Sequence, residues 1–189
     1  MSKPLKTRII VIAAPSGAGK SSFIEKICKE EPRLFDTVTY TTRKMRQGES
    51  QGFPYHFITT EEFEKKISEK FFIEWARVHT NLYGTSMIQL EEAWAQGKTV
   101  IMDVDVQGAD TFKAHFPDCQ RIFIKPPSIE ELRRRITKRD GGIPQDIEVR
   151  MANATKEIAR ANEYDFQIVN DNFEESYQVF KKIIEDLLG

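Results

Sequence analysis

The chain reads as an α/β fold, a parallel sheet with helices on both faces, carrying an inserted subdomain and a mobile lid, and three observations support that reading. Apolar runs of strand length recur between helical patterns, a glycine-rich loop joins the first run to the first helix, and two stretches, 37–83 and 126–150, break the alternation. The expected core is then 1–36, 84–125 and 151–189, a single domain of ordinary size for a 189-residue chain.

The first run, Arg8 to Ala13, empties into Ala14, Pro15, Ser16, Gly17, Ala18, Gly19, Lys20, Ser21 and Ser22, after which Phe23, Ile24, Ile27 and Cys28 recur at helical spacing. Strand, glycine loop, Lys-Ser pair and amphipathic helix in that order form a phosphate-binding loop. The glycines let backbone N–H groups converge on phosphate oxygens, Lys20 reaches toward the β/γ region, and the Ser21 hydroxyl is placed to ligate Mg²⁺. The chain is therefore expected to bind a nucleoside triphosphate. Ala14 stands where the strict pattern has Gly, so it must take an ordinary φ.

Short strand-like pieces (Val38 to Thr42, Tyr55 to Ile58, Phe72 to Val78) surround one helix, Glu61 to Glu69, and make up the insertion. The run Thr99 to Met102 is the second core strand. It ends in Asp103, on the sheet edge that carries the phosphate loop, where a carboxylate suits Mg²⁺ directly or through water; a cap for the helix holding Ala109 to Ala114 is the alternative reading. Arg121 to Ile124 is the third strand, stopped by Pro126 and Pro127, and Ser128 with Glu131 forms a capping box ahead of Leu132 and Ile136. Arg139 to Gln145 joins two basic helices through Gly141, Gly142 and Pro144, which suits a moving lid. Gln167 to Val169 is the fourth strand, and a last helix from near Asn172 buries Phe173, Tyr177, Phe180, Ile184 and Leu187.

A net charge of −1 gives no global field for nucleic acid or membrane, so a small ligand is expected and no obligate protein partner. Two cysteines, Cys28 and Cys119, are too few for a disulfide framework and read as core thiols. Lys3, Lys6 and Arg8 before an apolar stretch imitate a secretory signal, but the run is too short and ends in the phosphate loop, and the expectation is a cytoplasmic protein. His56, His79 and His115 are expected to be structural or exposed.

Three further blocks choose among phosphate-loop proteins. They are Thr41-Thr42-Arg43-Lys44-Met45-Arg46-Gln47-Gly48-Glu49 followed by Gly52 and Tyr55; Ile73-Glu74-Trp75-Ala76 with Asn81-Leu82-Tyr83-Gly84-Thr85-Ser86; and Asp103-Val104-Asp105-Val106-Gln107-Gly108. Together with the loop, and over about Arg8 to Leu188, they resemble the guanylate kinase family. The resemblance implies a phosphate-loop kinase core, a GMP-binding subdomain at 37–83, a lid at 126–150, and transfer of the ATP γ-phosphoryl group to GMP with Mg²⁺, leaving dGMP open as a second acceptor.

The resemblance further implies that Arg43, Arg46, Tyr55 and Tyr83 hold the GMP phosphate, that Glu74, Thr85 and Thr39 face the base, and that Asp103 and Asp105 border the acceptor. The chemistry agrees: guanine offers N1–H and an N2 amino group side by side, and one carboxylate accepts both, whereas adenine lacks both donors. A solvated Glu74 beside Trp75 is the alternative, and Asp105 is left between supporting the base and orienting Arg43. Arg135, Arg139 and Arg150 match lid arginines that close on the triphosphate, while Arg133 and Arg134 read as surface. Asn170 and Asp171 match the adenine-side edge of the ATP site, and catalysis would fall to Lys20, Arg46, Arg139 and Arg150 with no general base. Two departures are visible: Thr39 replaces a common Ser, and Asp140-Gly141-Gly142-Ile143-Pro144 replaces a glycine and an acidic, hydroxyl-bearing stretch. The competing readings are a related kinase with another phosphorylated acceptor, a phosphopeptide-binding module, and a nucleic-acid binder using Arg133 to Arg139.

Overall fold

The structure, a computed structural model, describes residues 9–78 and 80–189. Lys3, Lys6, Arg8 and His79 lie outside the described residues. In chain order, β1 (Ile9–Ala13), α1 (Lys20–Glu30) and β2 (Leu34–Asp36) lead into β3 (Tyr40–Thr41), β4 (Ser50–Gln51), β5 (Pro54–Phe57), α2 (Thr60–Ser68), β6 (Phe72–Val78) and β7 (Asn81–Ser86). The chain returns through α3 (Met87–Ala95), β8 (Thr99–Val104), α4 (Val106–His115) and β9 (Gln120–Lys125), and ends with α5 (Ile129–Arg139), α6 (Ile147–Ala159), a 3₁₀ turn (Ala161–Glu163), β10 (Phe166–Val169) and α7 (Phe173–Leu188).

The main sheet is parallel throughout, in the order β10-β9-β1-β8-β2. Its central strand β1 is buried along its whole length, and the period-two alternation of side chains splits the core in two. Ile10 and Ile12 pack with Phe23, Ile27, Leu132, Ile136 and Phe180, whereas Ile9, Val11 and Ala13 pack with Leu90, Ala93, Ala109 and Phe112. Helices therefore cover both faces. Phe23 anchors the first cluster, its ring 5.0 Å from that of Phe173 and 5.3 Å from that of Phe180, both edge-on. Cys119 is buried and Cys28 packs against the same core, where burial and the nearby charge of Asp36 push its thiol up to about 12.

The insertion forms its own mixed sheet, β4-β5-β3-β7-β6. One face carries an aromatic cluster in which Phe63 of α2 stacks on Phe72 at 4.4 Å. Gly84 lies against that stack: a Cβ there would come within 2.9 Å of Phe72 and 3.0 Å of Phe63. Its neighbours Tyr83 and Thr85 point to the opposite face. On β6 the register shifts between Phe72, paired with Ser86, and Glu74, paired with Thr85, so Ile73 is an extra residue. This bulge turns Glu74 away from the face of Phe72 and toward that of Thr85.

Several sequence expectations change. The main sheet has a fifth strand, β2, whose three residues are too short for a periodicity signal, and the insertion has β4 and β7 in addition to the three expected strands. The expected strand Val38 to Thr42 shrinks to Tyr40–Thr41, because Val38 N–H and C=O are bonded by the Gln89 side chain. β8 runs on through Asp103 to Val104, and α4 is capped by Asp105, whose Oδ1 accepts from Gly108 N–H at 2.8 Å, so Asp103 is not the cap. Ser128 caps α5, but the Glu131 carboxylate takes Arg134 and Arg135 instead of closing the box. The complete capping box is at Thr59 and Glu62. Of the two helices expected to be basic, α6 balances Arg150 and Lys156 against Glu148 and Glu157.

Truncating Phe23 to Ala should cost about 3–5 kcal/mol, because surrounding rings cannot collapse into the void. Chemical denaturation checks this, and a loss below about 1 kcal/mol would contradict the packing described.

Candidate active site

The phosphate loop is built by two glycines that no other residue could replace without strain. Gly17 and Gly19 have φ of +92° and +99°, and a Cβ at either would lie 2.7 Å from Ile136 and 2.6 Å from the Asn170 amide nitrogen respectively. Ala14, as expected, has no positive φ. Gly19 is the N-cap of α1 and supplies no side-chain cap, nor is there an acidic residue in the first turn. The orphan N–H groups and positive dipole end of an eleven-residue helix thus stand at the loop beside Lys20, Ser21 and Ser22. Buried Asn170 braces the loop by donating to Ala18 C=O at 2.8 Å, a support role that its sequence position at the end of β10 did not disclose.

Parallel pairing of β1 and β8 places Asp103 opposite Ile12, one residue pair before the loop. Its Oδ2 lies 3.7 Å from Lys20 Nζ. Two acids not anticipated from the sequence gather here. Glu157 of α6 is half-buried, and desolvation, with help from Asp105 and against the pull of Lys20, raises its pKa to about 7. Asp36 at the end of β2 has an exposed side chain, yet desolvation by the protein packed around it and the charge of Asp103 push its carboxyl up to about 7. Neither carries a sequence signal, since each reaches Lys20 or Asp103 only through the fold.

The second sheet brings Tyr55, Tyr83 and Glu74 toward Asp103 and Asp105, with Thr39 and Arg43 flanking β3. Arg43 Nη2 donates to Glu49 Oε1 at 2.7 Å, Nη1 donates to Lys44 C=O at 2.8 Å, and its guanidinium carbon sits 5.3 Å from the Tyr55 ring centre. Glu49 Oε2 accepts Arg46 N–H at 2.7 Å, so one carboxylate shapes the turn that presents both arginines. Glu49, not Asp105, orients Arg43. The Tyr55 and Tyr83 rings meet at 5.9 Å, and burial raises the Tyr55 hydroxyl pKa, with the Asp103 charge adding to it.

Glu74 is 8 % exposed and Trp75 beside it 48 %, which overturns the solvated reading of Glu74. The Thr85 hydroxyl, fully buried, donates to Glu74 Oε1 at 2.7 Å, so Thr85 meets the pocket through Glu74. Gly108 makes room on the other side: a Cβ there would be 3.3 Å from Glu74 Oε2 and 3.3 Å from Asp105 Oδ1. Desolvation raises the Glu74 pKa to about 7; the Thr85 bond opposes this and the Asp105 charge adds to it. Buried Thr39 lies on the strand approach to Arg43.

The arginines of 126–150 take two kinds of partner. Arg133 pairs with Glu148 and Arg134 with Glu131 on the outside. Arg135 Nε donates to Glu131 at 2.8 Å and its Nη2 to Asp171 C=O at 3.4 Å, linking α5 to the turn after β10. Arg139 Nη1 reaches Ser16 Oγ of the phosphate loop at 3.3 Å, and Arg150 is held by Asp140 and Asp146. Of the histidines, His56 lies against Tyr40 with ring centres 4.5 Å apart and tilted by 32°, and His115 Nδ1 bonds Thr111 C=O.

A family model described as guanylate kinase matches residues 6–187. The chain is 65 % identical over 185 residues to the guanylate kinase of Bdellovibrio bacteriovorus, covering 98 % of this chain and 100 % of the relative. It is 44 % identical over 176 residues to that of Syntrophotalea carbinolica, covering 93 % and 84 %. The crystal structure of guanylate kinase from Anaplasma phagocytophilum superposes with a TM-score of 0.80 at 32 % identity, covering 98 % of this chain and 88 % of that one. A shikimate kinase from Bacteroides thetaiotaomicron, at a TM-score of 0.52 and 14 % identity over 94 % of this chain and 98 % of that one, shares the fold alone.

Thr85→Val removes the bond that favours the ionised Glu74, so the carboxyl midpoint should rise further above its position near 7. Side-chain carboxyl titration by NMR reads it, and an unchanged or lower midpoint would break the link between the two residues.

Proposed function

The chain belongs to the guanylate kinase family and moves the γ-phosphoryl group of ATP to GMP, and we propose the residues that carry each part of that transfer. Backbone amides of 15–22 with Lys20 hold the donor phosphates, Arg135, Asn170 and Asp171 edge the ATP site, and Arg139 and Arg150 meet the transferred group from the lid, 126–150. The subdomain 37–83 holds the acceptor: Arg43, Arg46, Tyr55 and Tyr83 on its phosphate, Glu74 on its base, Thr39 on O6 and Thr85 behind Glu74. The observation that carries the base assignment is Glu74 itself, a carboxylate turned inward by a bulge and buried beside Asp105. Two guanine donors satisfy such a group, and adenine would leave it unpaired.

ATP-dependent transfer of this kind uses a divalent ion, and Ser21 and Asp103 are proposed as the residues that hold Mg²⁺. Their chemistry fits: a hydroxyl in the first turn of α1 and a carboxylate near the end of β8 are hard oxygen donors, and Mg²⁺ takes most of its remaining ligands from phosphate and water. When bound it neutralises charge on the β and γ oxygens. The chain's own residues do the remainder. Lys20, Arg46, Arg139 and Arg150 offset charge spreading onto the phosphoryl group, and the lid excludes water that would otherwise take it. No residue need remove a proton from a phosphate acceptor.

None of these contacts reads the ribose 2′-hydroxyl, which supports dGMP as a second acceptor. Unpaired cysteines among the described residues support placement in a reducing compartment, the cytoplasm. No described helix is long and apolar enough to cross a membrane.

A coupled ADP-release assay with Mg·ATP and GMP, dGMP, AMP, UMP, CMP and dTMP tests acceptor and reaction together, with GMP expected to dominate. Lys20→Ala should lower turnover by about 10²-fold or more; near-normal turnover would overturn the donor-site assignment.

Glu74→Gln should raise the KM for GMP by about tenfold or more while the KM for ATP stays put. Because only ionised Glu74 accepts both guanine donors, the wild-type KM for GMP should climb as pH falls below about 7, and Glu74→Gln should lose that dependence. An identical pH profile in both proteins would remove Glu74 as the base reader.

A further inference from the structure

The lid arginines are tied to each other by a third residue. Asp140 follows Arg139 directly, and its Oδ1 accepts from Arg139 Nε at 2.8 Å while its Oδ2 accepts from Arg150 Nη1 at 3.0 Å and Arg139 Nη2 at 3.4 Å. One carboxylate thereby bridges the end of α5 to α6 across the glycine-containing turn. The side chain is 22 % exposed, less open than its place on the lid turn would imply. Its carboxyl is held below the usual carboxylate range, first by the Arg139 hydrogen bond and then by the charges of Arg139, Arg150 and Arg46. Asp146 takes the remaining inner nitrogen of Arg150, its Oδ2 accepting from Nε at 3.0 Å.

The geometry points to Asp140 as a positioning residue that holds Arg139 by its Nε and Nη2 edge and Arg150 by Nη1, with Asp146 on Arg150 Nε, so that Arg139 Nη1 and Arg150 Nη2 are turned to the transferred phosphoryl group. Arg139 shows the arrangement: its Nε and Nη2 edge lies on Asp140, and Nη1 extends to Ser16 of the phosphate loop at 3.3 Å. A guanidinium held on one edge loses most of its torsional freedom before substrate arrives, so less ordering remains for the transition state. The bridge also answers a charge problem. Two arginines with Asp140 and Asp146 form a neutral set, whereas without the acids two guanidinium groups would repel each other beside Arg46. This inference rests on the assignment of Arg139 and Arg150 to the transferred group.

The test separates holding from competing. If Asp140 holds the arginines, Asp140→Ala should lower kcat by about tenfold with the KM for ATP changed by less than about threefold, because the arginines act on charge that develops in transfer. Asp140→Asn keeps one carbonyl acceptor for one arginine only and should fall between. In a background lacking both arginines (Arg139→Ala with Arg150→Ala), adding Asp140→Ala should cost less than about twofold more, since neither guanidinium is left for it to hold. An Asp140→Ala protein with wild-type kcat, or with a lowered KM for ATP at unchanged kcat, would overturn the proposal, the latter showing a carboxylate that merely occupies the phosphate's place. A fall in Tm without a fall in kcat would overturn it too. If instead Arg139→Ala and Arg150→Ala retain the turnover of an active wild type, the arginine assignment itself fails and takes the proposal with it.

Discussion

Two polyanions must be brought face to face, and the charge balance this demands governs the layout of the molecule. In the ligand-free chain the cations that would do it stand against carboxylates: Lys20 against Asp103, Arg43 against Glu49, Arg135 against Glu131, and Arg139 and Arg150 against Asp140. Such pairing is worth little as stability where solvent reaches it. Its value is geometric, since each acid fixes the edge of a cation that would otherwise sweep a wide cone, and it keeps the converging positive charges from repelling one another. The near-zero net charge of the chain is the same balance seen in composition.

The proposed assignment gives the two halves of the site different kinds of recognising group. On the donor side, recognition falls to main-chain N–H groups at the head of α1, held open by two positive-φ glycines and braced by Asn170. Backbone amides read phosphate and carry no information about the base, which is left to the edge at Asn170 and Asp171. On the acceptor side, recognition falls to side chains on a small sheet, where Gly84 seats the aromatic stack on one face and the bulge at Ile73 sends Glu74 to the other. Packing on the hidden face therefore sets the aim of the chemistry on the open one.

What could be read from the sequence follows the same division. The phosphate loop is contiguous, and its strand, glycines and helix each announce themselves by local rules, so the loop and the parallel core around β1 were legible. Asp103 was legible because strand ends line one sheet edge. The bulge was not: it is a register decision between β6 and β7, made by packing of Phe63 and Phe72 over Gly84, and nothing in Phe72-Ile73-Glu74 encodes it alone. Strand β7 was missed for a related reason, since Tyr83-Gly84-Thr85-Ser86 resembles a loop until its partner strand is known. No local signal in the sequence assigns a role to Glu49, Glu157 or Asp140. Each acquires a role only from what the fold sets beside it, Arg43, Lys20 and the lid arginines respectively.

Glu74 shows why burial serves discrimination here. A carboxylate with a pKa near 7 is close to the point at which desolvation makes ionisation unfavourable, and the Thr85 hydroxyl alone does not offset that penalty. Among the described residues, Thr85 is the side chain that donates to this carboxylate, and its charged form can take more donors. A ligand that brings two donors on one edge stabilises the charge and relieves the penalty together, while a ligand of the same size with acceptors there leaves the penalty in place and adds repulsion. An exposed glutamate could form the same two bonds, but water would satisfy it equally well when the wrong base arrived, and the selectivity would collapse to the small difference between two solvated states. On the proposed assignment, selectivity on the acceptor side comes from the cost of ionising a buried carboxylate, which the inward turn of β6 creates and the room beside Gly108 keeps accessible.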